Sequence, residues 1–316
     1  MRCSVILGLS RIFGNDSHSI GGEARDHERN GMEHRMVEVM ADLLLEPFRY
    51  GFMRNALAAG LLTVIASSLV GTWVVMRGLA FIGDALAHGV LPGIAIAYLL
   101  GGNLLLGAAF GAAVMVGGIS LVTARSRIGE DTAIGLLFVG MLALGVAIIS
   151  ARGAYAGDLT TILFGDPLGV RTDALWTLLA ATVVTVIVSV VAYRPFLALT
   201  ADRAKAATLG MRPGLAHIVM LALVAVVVVT SFRSVGTLLV FAFLIAPPAT
   251  AVLVARRVPV VMLAAIGFGS LAVLVGLLLS YHLATATAAT IAGVSVLGFF
   301  VVLAATSLSG SSRTAR

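Results

Sequence analysis

Cysteine and lysine are almost absent from this chain of 316 residues. Cys3 is the single cysteine, which excludes a disulfide framework and a zinc site built on several thiolates. Lys205 is the single lysine and follows an alanine, so the chain has no Gly-Lys-Ser/Thr phosphate-binding loop and cannot hydrolyse ATP by that route. The HExxH and GxSxG motifs are also missing, which leaves a zinc protease or a serine hydrolase unsupported. Transport, or catalysis by a partner, is the remaining kind of activity.

Charge is scarce as well. Charged residues make up 11% of the chain and hydrophobic residues 59%, whereas soluble domains average about 25% and about 45–50%. A water-soluble globule is therefore excluded, and the chain is predicted to be an all-α, polytopic membrane protein. The net charge of +6 is spread over loops, which indicates membrane orientation and no nucleic-acid partner.

The charged residues that exist are concentrated near the N-terminus. The first 54 residues hold 15 of the 36 charged residues, which are 21 basic and 15 acidic. The extreme N-terminal stretch lacks hydrophobic periodicity and is predicted to be disordered; alternatively, translation begins at Met32 or Met36. An amphipathic segment suited to the membrane interface follows it. The predicted divisions are a disordered extension at 1–35, an interfacial segment at 36–50, a membrane domain at 51–308 and a cytoplasmic tail at 309–316.

Nine hydrophobic segments are long enough to be considered as membrane spans. Pro247 and Pro248 lie inside the seventh and are predicted to kink or break its helix, because proline has no N–H to donate. An arrangement of eight spans with a re-entrant seventh segment therefore remains open. The nine segments are Ala56–Met76, Asp84–Leu100, Leu104–Val122, Thr132–Ser150, Ala174–Val191, Leu215–Thr230, Val235–Ala255, Val260–Tyr281 and Thr285–Ala305.

Basic residues are shared unequally between alternate loops. With the N-terminal tail left aside, one set of loops holds eleven and the other holds three. Since cytoplasmic loops carry the excess of Lys and Arg, the first set is predicted to be cytoplasmic, with the C-terminus inside and the N-terminus outside. The first set is Arg77, Arg125, Arg127, Arg194, Arg203, Lys205, Arg212, Arg256, Arg257, Arg313 and Arg316; the second is Arg152, Arg171 and Arg233.

Asp84 is the only carboxylate within a predicted span, and His88 follows it by four residues. Side chains at i and i+4 of a helix lie on one face, about 5–6 Å apart at Cβ. A carboxylate and an imidazole so placed can share a divalent cation. The alternative is an interfacial aspartate at a helix start, with the histidine hydrogen-bonded inside the bundle. His282, at the outer end of the eighth segment, is a second and weaker candidate metal ligand.

The longest well-charged internal loop runs from Tyr193 to Pro213 and is cytoplasmic by the count of basic residues. Good helix formers from Ala201 to Leu209 predict a short surface helix, with Thr200 as its N-cap and Gly210 as its stop. A short helix at the membrane surface is suited to docking on another protein.

Four stretches of the chain belong together as motifs: Phe81–Gly93, Arg127–Gly135, the loop Tyr193–Pro213, and Val235–Ala251. In combination they resemble the permease subunits of bacterial manganese/zinc/iron ABC importers, over about residues 40–305. The resemblance implies a type II importer fold of eight or nine spans in the bacterial cell membrane. It also implies that Asp84 and His88 form the ion-binding or gating site.

The same resemblance implies the partners. These are a second copy of the chain, a cytoplasmic ATPase dimer that supplies ATP hydrolysis, and an extracellular metal-binding protein. The cargo is Mn²⁺ first, with Zn²⁺ or Fe²⁺ as alternatives, and no cofactor is held permanently. The resemblance implies that the cytoplasmic loop is the coupling helix, with Thr200, Asp202, Arg203, Ala206, Leu209 and Gly210 as its docking residues.

A competing interpretation is a stand-alone ion-coupled carrier or channel in which Asp84 relays a cation or proton. Such a carrier has no need of a helix shaped for an ATPase groove, so the loop favours the permease.

Overall fold

The structure is a computed structural model that describes residues 45–126, 128–150, 168–201 and 212–311. Every regular element in these ranges is a helix, which confirms the predicted all-α fold. The predicted extension at 1–35 and most of the interfacial segment at 36–50 lie outside the described residues. Contacts divide the chain into the units Met1–Arg54 and Asn55–Arg316. In the first unit, a single 3-10 turn covers Glu46–Arg49.

Eleven α-helices occupy the described part of the chain. They are α1 (Gly51–Met76), α2 (Ile82–Gly89), α3 (Leu91–Leu99), α4 (Leu104–Arg125), α5 (Glu130–Ser150), α6 (Thr172–Val191), α7 (Tyr193–Ala201), α8 (Pro213–Val235), α9 (Thr237–Val254), α10 (Val258–Leu283) and α11 (Thr287–Ser311).

Nine stretches of the described residues are long and apolar enough to cross a membrane. Eight of these stretches are single helices, and the remaining one, the second along the chain, is α2 followed by α3. The nine-segment prediction is thereby confirmed. The spans differ in how far the rest of the chain surrounds them. The hydrophobic windows of α1, the α2–α3 pair and α8 are each 67% buried, whereas those of α5 and α11 are each 17% buried. The α2–α3 pair therefore lies among the most enclosed spans of the chain.

The helix α1 packs against α10 and α6. Small residues allow the closest approach: a Cβ on Gly60 would contact Val273 of α10 at 2.8 Å, and one on Gly269 of α10 would contact Val64 at 2.6 Å. Thr182 of α6 donates a hydrogen bond of 3.2 Å to the Leu62 carbonyl. Close backbone approach through small residues is the usual packing mode of helices in lipid.

Pro247 and Pro248 do not break the seventh span. The helix α9 continues from Thr237 to Val254 with both prolines inside it, so the predicted helix break and the re-entrant alternative are wrong. Pro248 has no N–H for the Leu244 carbonyl, and this oxygen faces the backbone of Gly71 in α1, where a Cβ would overlap it. The freed carbonyl is therefore covered by the backbone of the neighbouring helix.

The second span is irregular at one residue, Val90, which keeps helical backbone angles of φ −80° and ψ −15°. Val90 separates α2 from α3, and Pro92 lies in the first turn of α3. Beyond this irregularity α3 packs tightly on α4, because a Cβ on Gly93 would overlap the Gly107 carbonyl and one on Gly111 would contact Val90 at 3.0 Å. The Val90 N–H still donates to the Leu86 carbonyl and the Val90 carbonyl still accepts from the Ile94 N–H, so α2 and α3 form one nearly continuous span with an irregularity two residues after His88.

Candidate functional site

The helix α2 has eight residues and carries both candidate ligands. Asp84 lies in its first turn and His88 in its last, where the helix dipole favours an acidic and a basic side chain respectively. The other residues of α2 are buried, whereas Asp84 and His88 are of intermediate exposure. Packing of the apolar residues therefore turns the polar pair toward the one open side of the helix.

The two side chains meet on that side. His88 Nε2 lies 3.5 Å from Asp84 Oδ1. Two ligand atoms at about 2.1 Å from one ion are separated by about 3.0–3.4 Å when the angle at the metal is about 90–109°. The observed separation is close to that of two ligands on one divalent ion.

The ring of His88 is held by a residue from another span. Phe138 of α5 meets it edge to face, with ring centroids 5.7 Å apart. His88 Nδ1 is buried and has no hydrogen-bond partner within the described residues. Nε2 is consequently the nitrogen that faces Asp84 and the open side of α2.

One copy of the chain supplies an incomplete coordination sphere. Among the described residues, no group of three or more His, Cys, Asp and Glu side chains is close enough to hold a metal ion. The side chains of Asp84 and His88 are 41% and 24% exposed, which leaves room for further ligands. A third His, Cys, Asp or Glu ligand must therefore come from outside the described residues of this copy.

The weaker candidate, His282, lies elsewhere in the fold. It is exposed near the end of α10 and packs edge to face on Tyr281 at a centroid distance of 5.3 Å. The structure does not bring it into a metal-holding group with Asp84 and His88.

The coupling residues fall at the edge of the described chain. Asp202, Arg203, Ala206, Leu209 and Gly210 lie outside the described residues. Thr200 is described, and the prediction that it caps the following helix is wrong, since it lies in the last turn of α7 and donates a 2.8 Å hydrogen bond to the Phe196 carbonyl.

The helix α7, Tyr193–Ala201, is not among the predicted helices and packs on the bundle through its apolar residues. The predicted helix at Ala201–Leu209 lies outside the described residues except for Ala201. Pro195 is tolerated in the first turn. Phe196 and Leu199 are 1% and 4% exposed. The rings of Tyr193 and Phe196 both meet Trp73 of α1 edge to face, at centroid distances of 5.6 and 5.7 Å.

A second polar cluster was missed by sequence reasoning. Arg77 follows the end of α1, Glu130 is the first residue of α5, and His217 lies near the start of α8. Arg77 Nη2 donates a 2.9 Å hydrogen bond to Glu130 Oε2, and His217 Nδ1 lies 3.2 Å from both Arg77 Nη1 and Glu130 Oε1. The side chains are 10%, 18% and 2% exposed respectively. The available signal was that all three stand at span ends predicted to be cytoplasmic.

Fold and site together define a class: a multi-pass, all-helical membrane protein with a carboxylate–imidazole pair on an enclosed span. Comparison with known proteins makes the class specific. The model of the ABC 3 transport family matches residues 49–306. The chain belongs to this family and is the membrane permease of a metal ABC transporter of the bacterial cell membrane, which confirms the resemblance found in its motifs.

Individual relatives match most of the chain. The manganese transport system membrane protein MntC of Listeria innocua is 35% identical over 254 residues, 80% of this chain and 90% of that protein. The chelated iron transport system membrane protein YfeD of Yersinia pestis is 32% identical over 267 residues, 84% of this chain and 90% of that protein. A chain in the solved structure of PsaBC from Streptococcus pneumoniae in complex with Fab has a TM-score of 0.73 at 29% identity, covering 83% of this chain and 95% of that chain.

Proposed function

We propose that this permease forms the pathway of an ATP-driven importer of divalent transition-metal ions, and that Asp84 and His88 bind the ion within it. The observation that carries the proposal is the 3.5 Å separation of Nε2 and Oδ1 on the open side of α2. Ionisable groups within a membrane span are costly and usually face a cavity or an ion pathway.

The depth of the pair suits a site within the pathway. Phe138 touches His88 and lies eight residues beyond Glu130, the first residue of α5. At about 1.5 Å per residue this is a rise of about 12 Å. Since the hydrocarbon core is about 30 Å thick, a span that begins at the cytoplasmic surface would place His88 inside the core, about 12 Å from that surface.

A homodimer would complete the site. One copy offers a single carboxylate and a single imidazole, whereas two copies around a twofold axis offer two of each. A first-row divalent ion would accept such a mixed set of four ligands. In this arrangement the exposed side of α2 faces its symmetry mate across a central pathway.

Energy would enter from a partner, because the chain has no phosphate-binding loop. The proposed contact is the coupling loop, defined as Thr200–Gly210, on a cytoplasmic ATPase dimer. The helix α7 precedes this loop and is anchored to Trp73 of α1 by Tyr193 and Phe196. A movement of the loop would therefore reach the membrane spans. An extracellular metal-binding protein would deliver the ion from the other side.

Mn²⁺ is the proposed cargo, with Fe²⁺ and Zn²⁺ as alternatives. The Listeria innocua relative is named for manganese transport and the Yersinia pestis relative for chelated iron. A carboxylate with an imidazole suits all three ions, so the ligand types do not select among them.

The test is Mn²⁺ uptake into proteoliposomes that contain the permease with its ATPase and binding protein. Asp84→Asn and His88→Gln should each abolish uptake while expression and assembly stay normal, because both side chains are only partly buried. Asp173→Asn is the matched control, since Asp173 is an exposed aspartate at the start of α6. Uptake at the wild-type rate in either site variant would reject the assignment.

A further inference from the structure

The cluster of Arg77, Glu130 and His217 joins the ends of three spans that are far apart in sequence. Arg77 and Glu130 are separated by 53 positions, and Arg77 and His217 by 140. Each side chain is at least four-fifths buried. We propose that these residues form a coupling latch, a set of positioning residues that transmits movement of the coupling loop to the metal-binding helix α2. This inference rests on the proposed function of Asp84 and His88.

Each residue of the coupling latch leads to a functional part of the molecule. His217 lies close to the start of α8, which is the first described helix after the coupling loop. Glu130 begins α5, and the same helix carries Phe138 on the ring of His88. Arg77 precedes α2 by only a short connection, and α2 carries Asp84. A displacement of α8 would thus reach both metal ligands by two short routes.

The helices themselves support these routes. The helix α2 packs directly against both α8 and α5. The Arg77 guanidinium also lies 3.7 Å from Met220 Sδ, one turn further along α8 than His217. Arg77 therefore binds two successive turns of α8 and the first residue of α5 at once. A rotation or shift of α8 would have to break or rebuild this set of contacts.

The chemistry of the coupling latch suits transmission better than plain stabilisation. A buried ion pair contributes little more to stability than a well-packed apolar group would, since its attraction is offset by desolvation. Its hydrogen bonds are directional, however, and a planar guanidinium bridges several partners only in particular geometries. Such a network favours a few discrete arrangements of the three side chains over continuous deformation. Coupling between distant sites requires elements with discrete arrangements of this kind.

The experiment compares Glu130→Gln with Asp131→Asn in the purified permease–ATPase complex. Gln keeps the size of Glu130 but removes the charge that binds Arg77, whereas Asp131 is the exposed carboxylate next in the chain. Mn²⁺ binding, Mn²⁺ uptake and ATP hydrolysis are measured on the same preparation. The coupling latch predicts that Glu130→Gln leaves the Mn²⁺ affinity unchanged. It also predicts that the ratio of Mn²⁺ transported to ATP hydrolysed falls by at least about fivefold, which is the lower end of typical coupling between sites. Asp131→Asn should keep the wild-type ratio.

A conservative variant separates transmission from folding. Glu130→Asp keeps the charge and should recover part of the lost ratio. An unchanged ratio in Glu130→Gln overturns the proposal. So does a uniform loss of binding, uptake and hydrolysis in step with the amount of folded complex, since that result marks a purely structural role. Wild-type uptake in Asp84→Asn would instead reject the proposed metal site. The ratio of Mn²⁺ transported to ATP hydrolysed in Glu130→Gln would still test the coupling latch.

Discussion

At the scale of single residues, Phe138 is the side chain that fixes the ring of His88. An edge-to-face aromatic contact contributes about 0.5–1.5 kcal/mol beyond burial. Phe138→Ala would free the imidazole to rotate away from Asp84, so Mn²⁺ binding should weaken by about two- to tenfold. Equilibrium binding of Mn²⁺ to the purified permease is the appropriate measurement.

Phe110→Ala serves as the control for this substitution. Phe110 lies on α4 and is 64% exposed, so its removal should leave Mn²⁺ affinity unchanged. Equal affinity in Phe138→Ala and the wild type would show that the contact does not position His88.

The two polar groups of the molecule differ in how far the sequence predicts them. Asp84 and His88 are four residues apart, and the helix alone brings i and i+4 together. Arg77 and His217 are 140 positions apart, and their contact depends on how α1 and α8 pack, which no local pattern encodes.

At the scale of helices, the crossing of α1 and α9 depends on one glycine. A Cβ on Gly71 would overlap the Leu244 carbonyl oxygen, which is backbone and cannot rotate away. Gly71→Ala should therefore force the helices apart and lower stability by about 1–3 kcal/mol, as overpacking of a tight interface does. The midpoint of thermal unfolding in detergent reports this loss.

Gly135→Ala is the matched change on α5, where a Cβ would meet nothing within 4 Å. It should leave the midpoint where it is or raise it slightly, since alanine favours helix over glycine. A Gly71→Ala protein as stable as Gly135→Ala would contradict the proposed packing at the crossing.

The two errors of prediction at this scale share one physical reason, which is tertiary packing. Proline breaks an isolated helix, yet α9 continues because its freed Leu244 carbonyl meets Gly71. Thr200 has the chemistry of an N-cap, yet α7 extends through it because Phe196 packs on Trp73. Local propensity was overridden in both cases by a neighbouring helix.

At the scale of the whole molecule, the excess of basic residues predicts which connections face the cytoplasm. Gly102 lies in the turn before α4 and is predicted to be outside, whereas Gly129 lies just before α5 and is predicted to be inside. Each glycine is exposed. In a Cys3→Ser background, a membrane-impermeant maleimide should label Gly102→Cys in intact cells, and Gly129→Cys only after permeabilisation. The reverse pattern would invert the predicted topology.

The number and order of the spans followed from the sequence because hydrophobic runs of about 20 residues are a direct requirement of the bilayer. The openness of the Asp84–His88 pair did not follow from it. The sequence shows Asp84 and His88 in a span, but only the structure shows that the other residues of α2 are buried and that its polar side is partly exposed.

The central claim is that Asp84 and His88 from two copies bind the transported ion. Anomalous diffraction at the manganese absorption edge, from crystals of the Mn²⁺-loaded complex, tests it most directly. The account predicts one manganese peak on the twofold axis, at about 2.1 Å from the carboxylate and imidazole of each copy. A manganese peak away from both side chains, or two copies whose Asp84–His88 pairs point outward to lipid, would contradict it.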